Sequence, residues 1–421
     1  MPPLPEPAAP PHGTVAVRVL STQHPARNPR AVKEADALAA AGFAVELLTI
    51  ASHAPSVALD AELLADRPWR LRYAVDLLDP KPAGRLRSLR LRAQTRFARA
   101  LLRRCRLESP DALGTVRPLL RAALRRPVPL TIVHVDGGLW VGSRLLAAGH
   151  RVAADFEDWH SEDLLDESRR LLPLRLLRQV EGTLLHRAAF TTTTSEAMTQ
   201  ALVERYGGRR PHVLPNAFPL QSHPHQLRAG VPRSIIWFSQ TVGPGRGLEA
   251  FITAWTRTLR PSRLVLVGHA NPGYVERLRA LVPTIRGGDL VVAGAVAPDA
   301  LPALIAQHDI GLALEPRVPP NKDLTISNKL LQYLNAGLAV LATPTRGQRE
   351  VLERGPDASH YIELEQPEHV ARTIDDLLSD DDALARKQRA SRQLAEDYYC
   401  WERYAPAVAQ RARDALAVPL R

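Results

Sequence analysis

Short apolar, strand-forming runs alternate with helix-patterned segments along almost the whole chain. This alternation constrains the fold more than any other feature of the sequence. The run VAVRVL from Val15 is followed by the loop STQHPARN, in which Asn28 can cap a helix that has Pro29 at its first position. Val32, Ala35, Leu38 and Ala39 give that helix an apolar stripe, Gly42 stops it, and AVELLTI from Ala44 completes a β-α-β unit. Further strands are expected at TIVHV from Thr131, RVAADF from Arg151, FTTT from Phe190 and HVLPN from His212. The polar stretch from Gln221 to Arg233 reads as a linker. A second series then begins, with SIIWFS from Ser234, RLVLVG from Arg263, DLVVAG from Asp289, IGLAL from Ile310 and LAVLAT from Leu338.

The expected class is therefore α/β, with two parallel-sheet domains at 15–222 and 233–395. A proline-rich disordered tail (1–14) precedes them. A C-terminal helix (396–421) follows and is expected to pack back on the first domain. A chain of 421 residues is long enough for two separate cores. The only two cysteines, Cys105 and Cys400, lack metal-ligand spacing, which argues against a zinc site or disulfide scaffold and fits a reducing compartment. The first residues show no basic segment leading into an apolar run, and no stretch approaches the roughly 20 apolar residues that span a bilayer. A cytoplasmic protein is expected, one able to rest at the inner face of a membrane.

The net charge of +11 is concentrated: thirteen arginines and one lysine lie between Lys81 and Arg126, against Glu108 and Asp111. Within that segment Leu86, Leu89, Ala93, Phe97 and Leu101 have helical spacing, with Arg85, Arg92, Arg96, Arg99 and Arg103 around them. Two readings stand: a core-facing helix with a solvated basic back, or a peripheral contact of 81–126 with anionic membrane. No interleaved aromatics or motif support nucleic acid binding.

Open parallel sheets present ligands to the residues just after their strands. In the second domain FSQTVGPGRGLEAF from Phe238 places Gly243, Gly245 and Gly247 ahead of a helix, with Arg246 among them. A tight turn, a helix N-terminus and a cation suit a diphosphate, although the spacing is not the dinucleotide fingerprint. The segment DIGLALEPRVPPNKDLTISNKLLQYLNAGLAVLAT from Asp309 carries a second helix start, capped by Ser327 and Asn328, with Lys329 at its mouth. Lys322 and Lys329 are two of only five lysines beside fifty arginines, which suggests a need for a compact point charge. In the first domain DFEDWH from Asp155 sets Glu157 and Asp158 next to Trp159 and His160, a plausible sugar platform. His134 and Asp136, at the end of the neighbouring strand, read as structural.

These segments together resemble the family-4 (group 1) retaining glycosyltransferases of the GT-B fold. SNKLLQYLNAGLAVLAT is similar to their donor-site helix and GPGRGLEAF to their phosphate loop. NPRAVKEADALAAAGFAVELLT, DFEDWHSEDL, TTTSEAMTQALVERYG and VLPNAF follow the family pattern in order, so the resemblance runs from about Val15 to Glu402. It implies two Rossmann-like domains facing across a cleft and transfer of a sugar from a nucleotide diphosphate sugar to an acceptor hydroxyl with retention. No metal and no cofactor are expected. The acceptor would be a carbohydrate or a lipid-linked molecule, and the commonest setting is cell-surface polysaccharide or glycolipid synthesis.

By the resemblance, Glu157, Asp158, Arg246 and Lys329 are the catalytic candidates. Gln240, Gly245, Arg246, Val296, Asn321, Asp323, Ser327, Asn328, Lys329 and Gln332 are the donor-binding set, and Asn28, Arg30, Trp159 and His160 belong to the acceptor side. The chain departs from the family in three places. Gln332 replaces the second glutamate of a paired motif whose first member has no clean match. Gln240 replaces a basic residue before the glycine loop. Glu157 stands where a histidine is usual. Two alternatives therefore stay open: a nucleotide-sugar epimerase, or a non-catalytic protein that binds nucleotide sugars.

Overall fold

A computed structural model describes residues 14–225, 232–283 and 289–419. Residues 1–13 of the tail expected over 1–14, and the middle of the expected linker, 226–231, lie outside the described residues. The chain divides into two compact units. The first comprises Met1–Thr194, Met198–Leu214 and Tyr404–Arg421; the second comprises Ser195–Ala197 and Pro215–Arg403.

The first unit is built on seven parallel strands: β1 (Ala16–Ser21), β2 (Ala44–Ala51), β3 (Arg70–Asp76), β4 (Leu130–His134), β5 (Val152–Phe156), β6 (Thr191–Thr193) and β7 (His212–Val213). Their order in the sheet is β3-β2-β1-β4-β5-β6-β7. Growth reverses direction between β1 and β4, which pair from Val17↔Leu130 to Ser21↔His134. That reversal leaves a crevice beyond the carboxyl ends of the two strands, where open sheets bind ligands. Asn28 caps the Pro29–Ala40 helix as expected, its side chain accepting a hydrogen bond from the Ala31 amide at 3.0 Å.

β3 was not expected from the sequence. It pairs only with β2, so one edge is unpaired, and its polar face carries Arg70 and Arg72 in alternation with Leu71 and Tyr73. Arg72 and Arg18 both donate to Glu46, at 2.7 Å each, which ties three neighbouring strands through one carboxylate.

The second unit repeats the principle with β8 (Ser234–Val242), β9 (Arg263–Ala270), β10 (Leu290–Ala293), β11 (Ile310–Ala313), β12 (Ala339–Ala342) and β13 (Ser359–Tyr361). The order is β10-β9-β8-β11-β12-β13, all parallel. β13, only three residues long, was also not expected. Both faces of this sheet are covered. Ile235, Trp237, Leu264, Leu266 and Leu312 pack toward the Leu248–Trp255 and Pro367–Ser379 helices. Their sequence neighbours Ile236, Phe238, Val265 and Val267 pack on the other side against the Asn328–Ala336 helix. A strand buried on both faces is apolar at every position, which is why SIIWF and LVLV read as unbroken runs. Gly311 permits the closest approach on that side, since a β-carbon there would lie 2.2 Å from the Tyr333 ring.

The Pro82–Cys105 helix of the first unit has 24 residues and buries only Gly84, Ser88, Ala98 and Leu102 among them. Its apolar face, expected from the helical spacing, faces solvent at Leu86, Leu89 and Phe97, the last two about two-thirds exposed. Among the described residues no helix is long and apolar enough to cross a membrane.

Candidate active site

In the second unit the glycine loop follows β8 directly. Gly245 (φ 77°) and Gly247 (φ 74°) both adopt the left-handed conformation that glycine enters without steric cost, and Gly247 occupies the cap position of the Leu248–Trp255 helix. Arg246, held between them, lines an open cavity of about 540 Å³. The remaining wall comes from residues after β11 (Leu314–Val318), after β12 (Thr343 and Pro344) and after β13 (Ile362–Glu365). The cavity thus lies beyond the carboxyl ends of the strands, at the reversal between β8 and β11, where the fold predicts a ligand.

One carboxylate organises this wall, and the sequence reading did not single it out. Glu315 Oε1 accepts from Lys329 Nζ at 2.6 Å and from Ser327 Oγ at 2.9 Å. Its backbone is fixed by Thr343, whose hydroxyl accepts from the Glu315 amide and donates to the Glu315 carbonyl, both at 2.8 Å. Burial pushes the Glu315 carboxyl up, but the Lys329 ammonium and the Ser327 hydroxyl outweigh it and hold the group below the usual carboxylate range. Lys329 also lies 5.8 Å from the centre of the Trp237 ring. Ser327 caps the Asn328–Ala336 helix as expected, accepting from the Lys329 amide. Lys329 was expected to act as a bare charge toward a diphosphate. Instead it is nine-tenths buried in an ion pair, so Arg246 and the exposed Arg317 are the cations that line the cavity.

The other expected donor residues are placed as follows. Gln240 is exposed near the end of β8, Gly245 is exposed at the loop tip, and Val296 is exposed in the loop after β10. Asn328 is exposed on the first helical turn and Gln332 is half-buried one turn on; neither lines the cavity. Asn321, expected near sugar hydroxyls, is fully buried and locks its own turn, its side-chain oxygen accepting from Thr325 Oγ1 at 3.1 Å. Asp323 accepts from the Arg346 amide at 3.1 Å. Both are positioning residues for the loop after β11.

In the first unit the carboxyl ends of β4 and β5 carry a sealed cluster of charge. Asp155 is fully buried and takes a two-pronged contact from Arg30 through Nε and Nη2, the latter at 2.8 Å. Thr192 Oγ1 donates to it at 2.7 Å, and His134 Nδ1 lies 3.2 Å away. His134 Nε2 in turn faces Glu34 at 3.1 Å. Burial alone would neutralise His134, but Glu34 and Asp155 overcome it and raise the imidazole to about 10, so it is a cation at neutral pH. Asp155 is pulled far down despite its burial by Arg30 and His134. Glu34, His134 and Asp155 have the residue types and closeness of a metal site. With the Arg30 guanidinium on Asp155 and a protonated His134 between the two carboxylates, that position already holds its positive charge.

This arrangement corrects part of the acceptor-side expectation. Arg30 is buried against Asp155 and the Leu214 carbonyl, and Asn28 is buried as a cap, so both build the floor of the crevice and do not reach into it. Trp159, expected as a platform for a sugar, is buried edge-on against Tyr206, with ring centres 6.2 Å apart. Glu157, Asp158 and His160 are half-buried just past β5. Burial raises the Glu157 carboxyl, and its neighbour Asp158 adds to the rise while Arg30 opposes it. Lys33, one turn from Arg30, is lowered to about 7 by burial and by the Arg30 charge.

Two all-parallel Rossmann-like units, of seven and six strands, define the GT-B class of architecture. Solved structures of that class align with nearly the whole chain. Sucrose-phosphate synthase from Thermosynechococcus elongatus is 15% identical with a TM-score of 0.69, covering 96% of this chain and 99% of that one. Anabaena HepE, solved in complex with UDP, is 15% identical with a TM-score of 0.68, covering 96% and 100%. WaaG, a glycosyltransferase involved in lipopolysaccharide biosynthesis, is 13% identical with a TM-score of 0.57, covering 94% and 99%. No curated protein sequence matched the chain. Residues 232–380, which contain the glycine loop, Glu315 and Lys329, match the family model described as glycosyl transferases group 1. The second unit therefore carries the sequence pattern of that family over residues 232–380, and the chain as a whole has the GT-B fold.

Proposed function

We propose that the protein transfers a sugar from a nucleotide diphosphate sugar, held by the second unit, to an acceptor hydroxyl with retention at the anomeric carbon. The observation that carries this reading is the cavity beyond β8 and β11, with Arg246 on a glycine turn at a helix N-terminus and Glu315, paired with Lys329 behind it, in its wall. The relative HepE was solved with UDP and with UDP and glucose, which supports a uridine nucleotide as the first donor to try.

In this mechanism the acceptor oxygen bonds to the anomeric carbon as the bond from that carbon to the diphosphate breaks. The leaving diphosphate takes the acceptor proton. Arg246 and the amide groups after Gly247 stabilise the negative charge that develops on the leaving group, an effect strongest when the donors are already in place. Lys329 acts through Glu315: their pairing sets the loop after β11 and holds its backbone to the ligand side. Glu157 and Asp158 lie past β5, where the acceptor hydroxyl would be oriented. No metal is required in this scheme. The test is transfer from candidate nucleotide sugars in a chelating buffer, with the product linkage read by NMR. A retained anomeric configuration supports the proposal. Donor hydrolysis or isomerisation without transfer would favour the epimerase reading.

The acceptor is proposed to be a carbohydrate or lipid-linked molecule, in cell-surface polysaccharide or glycolipid synthesis. The supporting feature is the Pro82–Cys105 helix, whose exposed Leu86, Leu89 and Phe97 are flanked by exposed arginines, a pattern that complements an anionic membrane surface. Flotation with anionic vesicles at low salt, reversed at high salt, is the expected behaviour.

A further inference from the structure

The same helix borders a second cavity, of about 300 Å³, in the first unit. Arg92, Thr95, Arg96 and Arg99 line one side, at the i, i+3, i+4 and i+7 spacing that puts them on one helical face. Ser52, Leu77 and Thr115 line the other: Ser52 follows β2, Leu77 follows β3, and Thr115 precedes the Val116–Arg125 helix. Among the described residues no carboxylate lines the cavity. Arg87 pairs with Asp79 and Arg117 with Asp111, whereas among the described residues Arg92 and Arg99 engage the carbonyls of Leu77 and Ala112 and no carboxylate. Thr115 occupies the helix cap position without using its hydroxyl to cap.

We propose that this pocket is a subsite for a phosphate or diphosphate group on the acceptor. The inference deepens the proposed function and rests on it for the role of the first unit. Three guanidinium groups around one concavity match the oxygens of a phosphate, each able to donate two parallel hydrogen bonds. The N-terminal end of the Val116–Arg125 helix, next to Thr115, adds a favourable dipole. The pocket opens on the carboxyl-end rim of the sheet, the rim that also carries Glu157 and Asp158 after β5. Leu89 and Phe97, on the adjacent face of the same helix, offer an apolar surface for whatever the phosphate is attached to.

The test compares three proteins in the Arg246→Ala background, which weakens anion binding at the donor cavity. One carries no further change. The second adds Arg92→Ala, Arg96→Ala and Arg99→Ala. The third adds Arg85→Ala, Arg90→Ala and Arg103→Ala, removing equal charge from the same helix outside the pocket. Each is titrated with dissolved inorganic diphosphate and, separately, with phosphatidylcholine vesicles with and without phosphatidic acid. The expected result is at least tenfold weaker binding in the pocket variant, whereas the control changes diphosphate binding less than twofold and loses less vesicle binding than the pocket variant, since its arginines contribute only to the general attraction of the helix for anionic lipid. Loss confined to vesicles assigns the phosphate to a lipid headgroup, and loss of dissolved diphosphate binding assigns it to a free phosphorylated acceptor; either supports the subsite. Equal losses in the two triple variants, or no binding of either probe in the background protein, would overturn it. Thermal shift by nucleoside diphosphates, read with Arg246 intact, reports the donor site alone. It should survive the pocket substitutions, so failure of the subsite and failure of the donor reading are distinguishable.

Discussion

Each unit keeps buried charge beyond the carboxyl ends of its strands, but the two clusters are built differently. In the second unit Glu315 and Lys329 lie fourteen residues apart, on a loop and the helix it leads into, and Glu315 lines an open cavity. In the first unit Arg30 and Asp155 lie 125 residues apart, with Glu34 added from the helix that carries Arg30 and His134 from one more strand, and the cluster is closed to solvent. A short-range pair can shift with one loop when a ligand enters. A cluster spanning three elements cannot move without unpairing its members, and a buried charge left unpaired is costly. The first arrangement suits binding and the second suits holding a crevice in shape.

This contrast can be broken or sharpened by substitution. Asp155→Asn should have the largest effect on stability, costing about 3–5 kcal/mol, because it leaves Arg30 and His134 buried without their counter-charge; chemical denaturation would measure it. A loss below about 1 kcal/mol would show that the cluster does not hold the first unit together. Arg246→Ala should leave melting unchanged and reduce turnover by about 10²–10³-fold, the usual scale for losing one preorganised charge-stabilising donor. Near-normal turnover would remove Arg246 from the chemistry. Glu315→Gln should be milder, about 1–3 kcal/mol, because an amide oxygen still accepts from Lys329 while the ion pair is lost. Its effect should fall on donor affinity more than on stability, which a paired KM and denaturation measurement would separate.

The smallest effect is a dependence on pH. His134 has its folded value raised from an ordinary 6.5 to about 10, so its contribution to stability is complete below pH 6.5 and is lost as the pH rises toward 10. The melting temperature should therefore fall across that window, and His134→Gln should flatten the fall. An unchanged slope in the variant would mean that His134 is neutral in the folded protein.

Strands β8 to β12 of the second unit and its ligand-facing loops could be read from the sequence because parallel strands buried on both faces are unbroken apolar runs. The glycine loop and the Ser327 cap were legible for the same local reason. What escaped was non-local. β3 alternates arginine with apolar residues at a sheet edge, and β13 is three residues long, so neither has a strong pattern of its own. Glu315 could not be assigned because its importance comes from the approach of Lys329, which only the packing of β11 against the Asn328–Ala336 helix creates. Arg30 and Trp159 carried residue types suited to an acceptor, but the fold turns both inward. One signal was available in hindsight: Glu315 comes two residues after the fully apolar strand β11, in the region where open sheets place their functional side chains.

The central claim is that the second unit binds a nucleotide diphosphate through Arg246. Calorimetric titration with UDP and the other nucleoside diphosphates, in a chelating buffer, tests it most directly when run on the native chain and on Arg246→Ala. The account predicts that one nucleotide binds the native chain without metal, and that its affinity falls at least tenfold in the variant. Binding that is absent for every nucleotide, or equal in the two proteins, would contradict it.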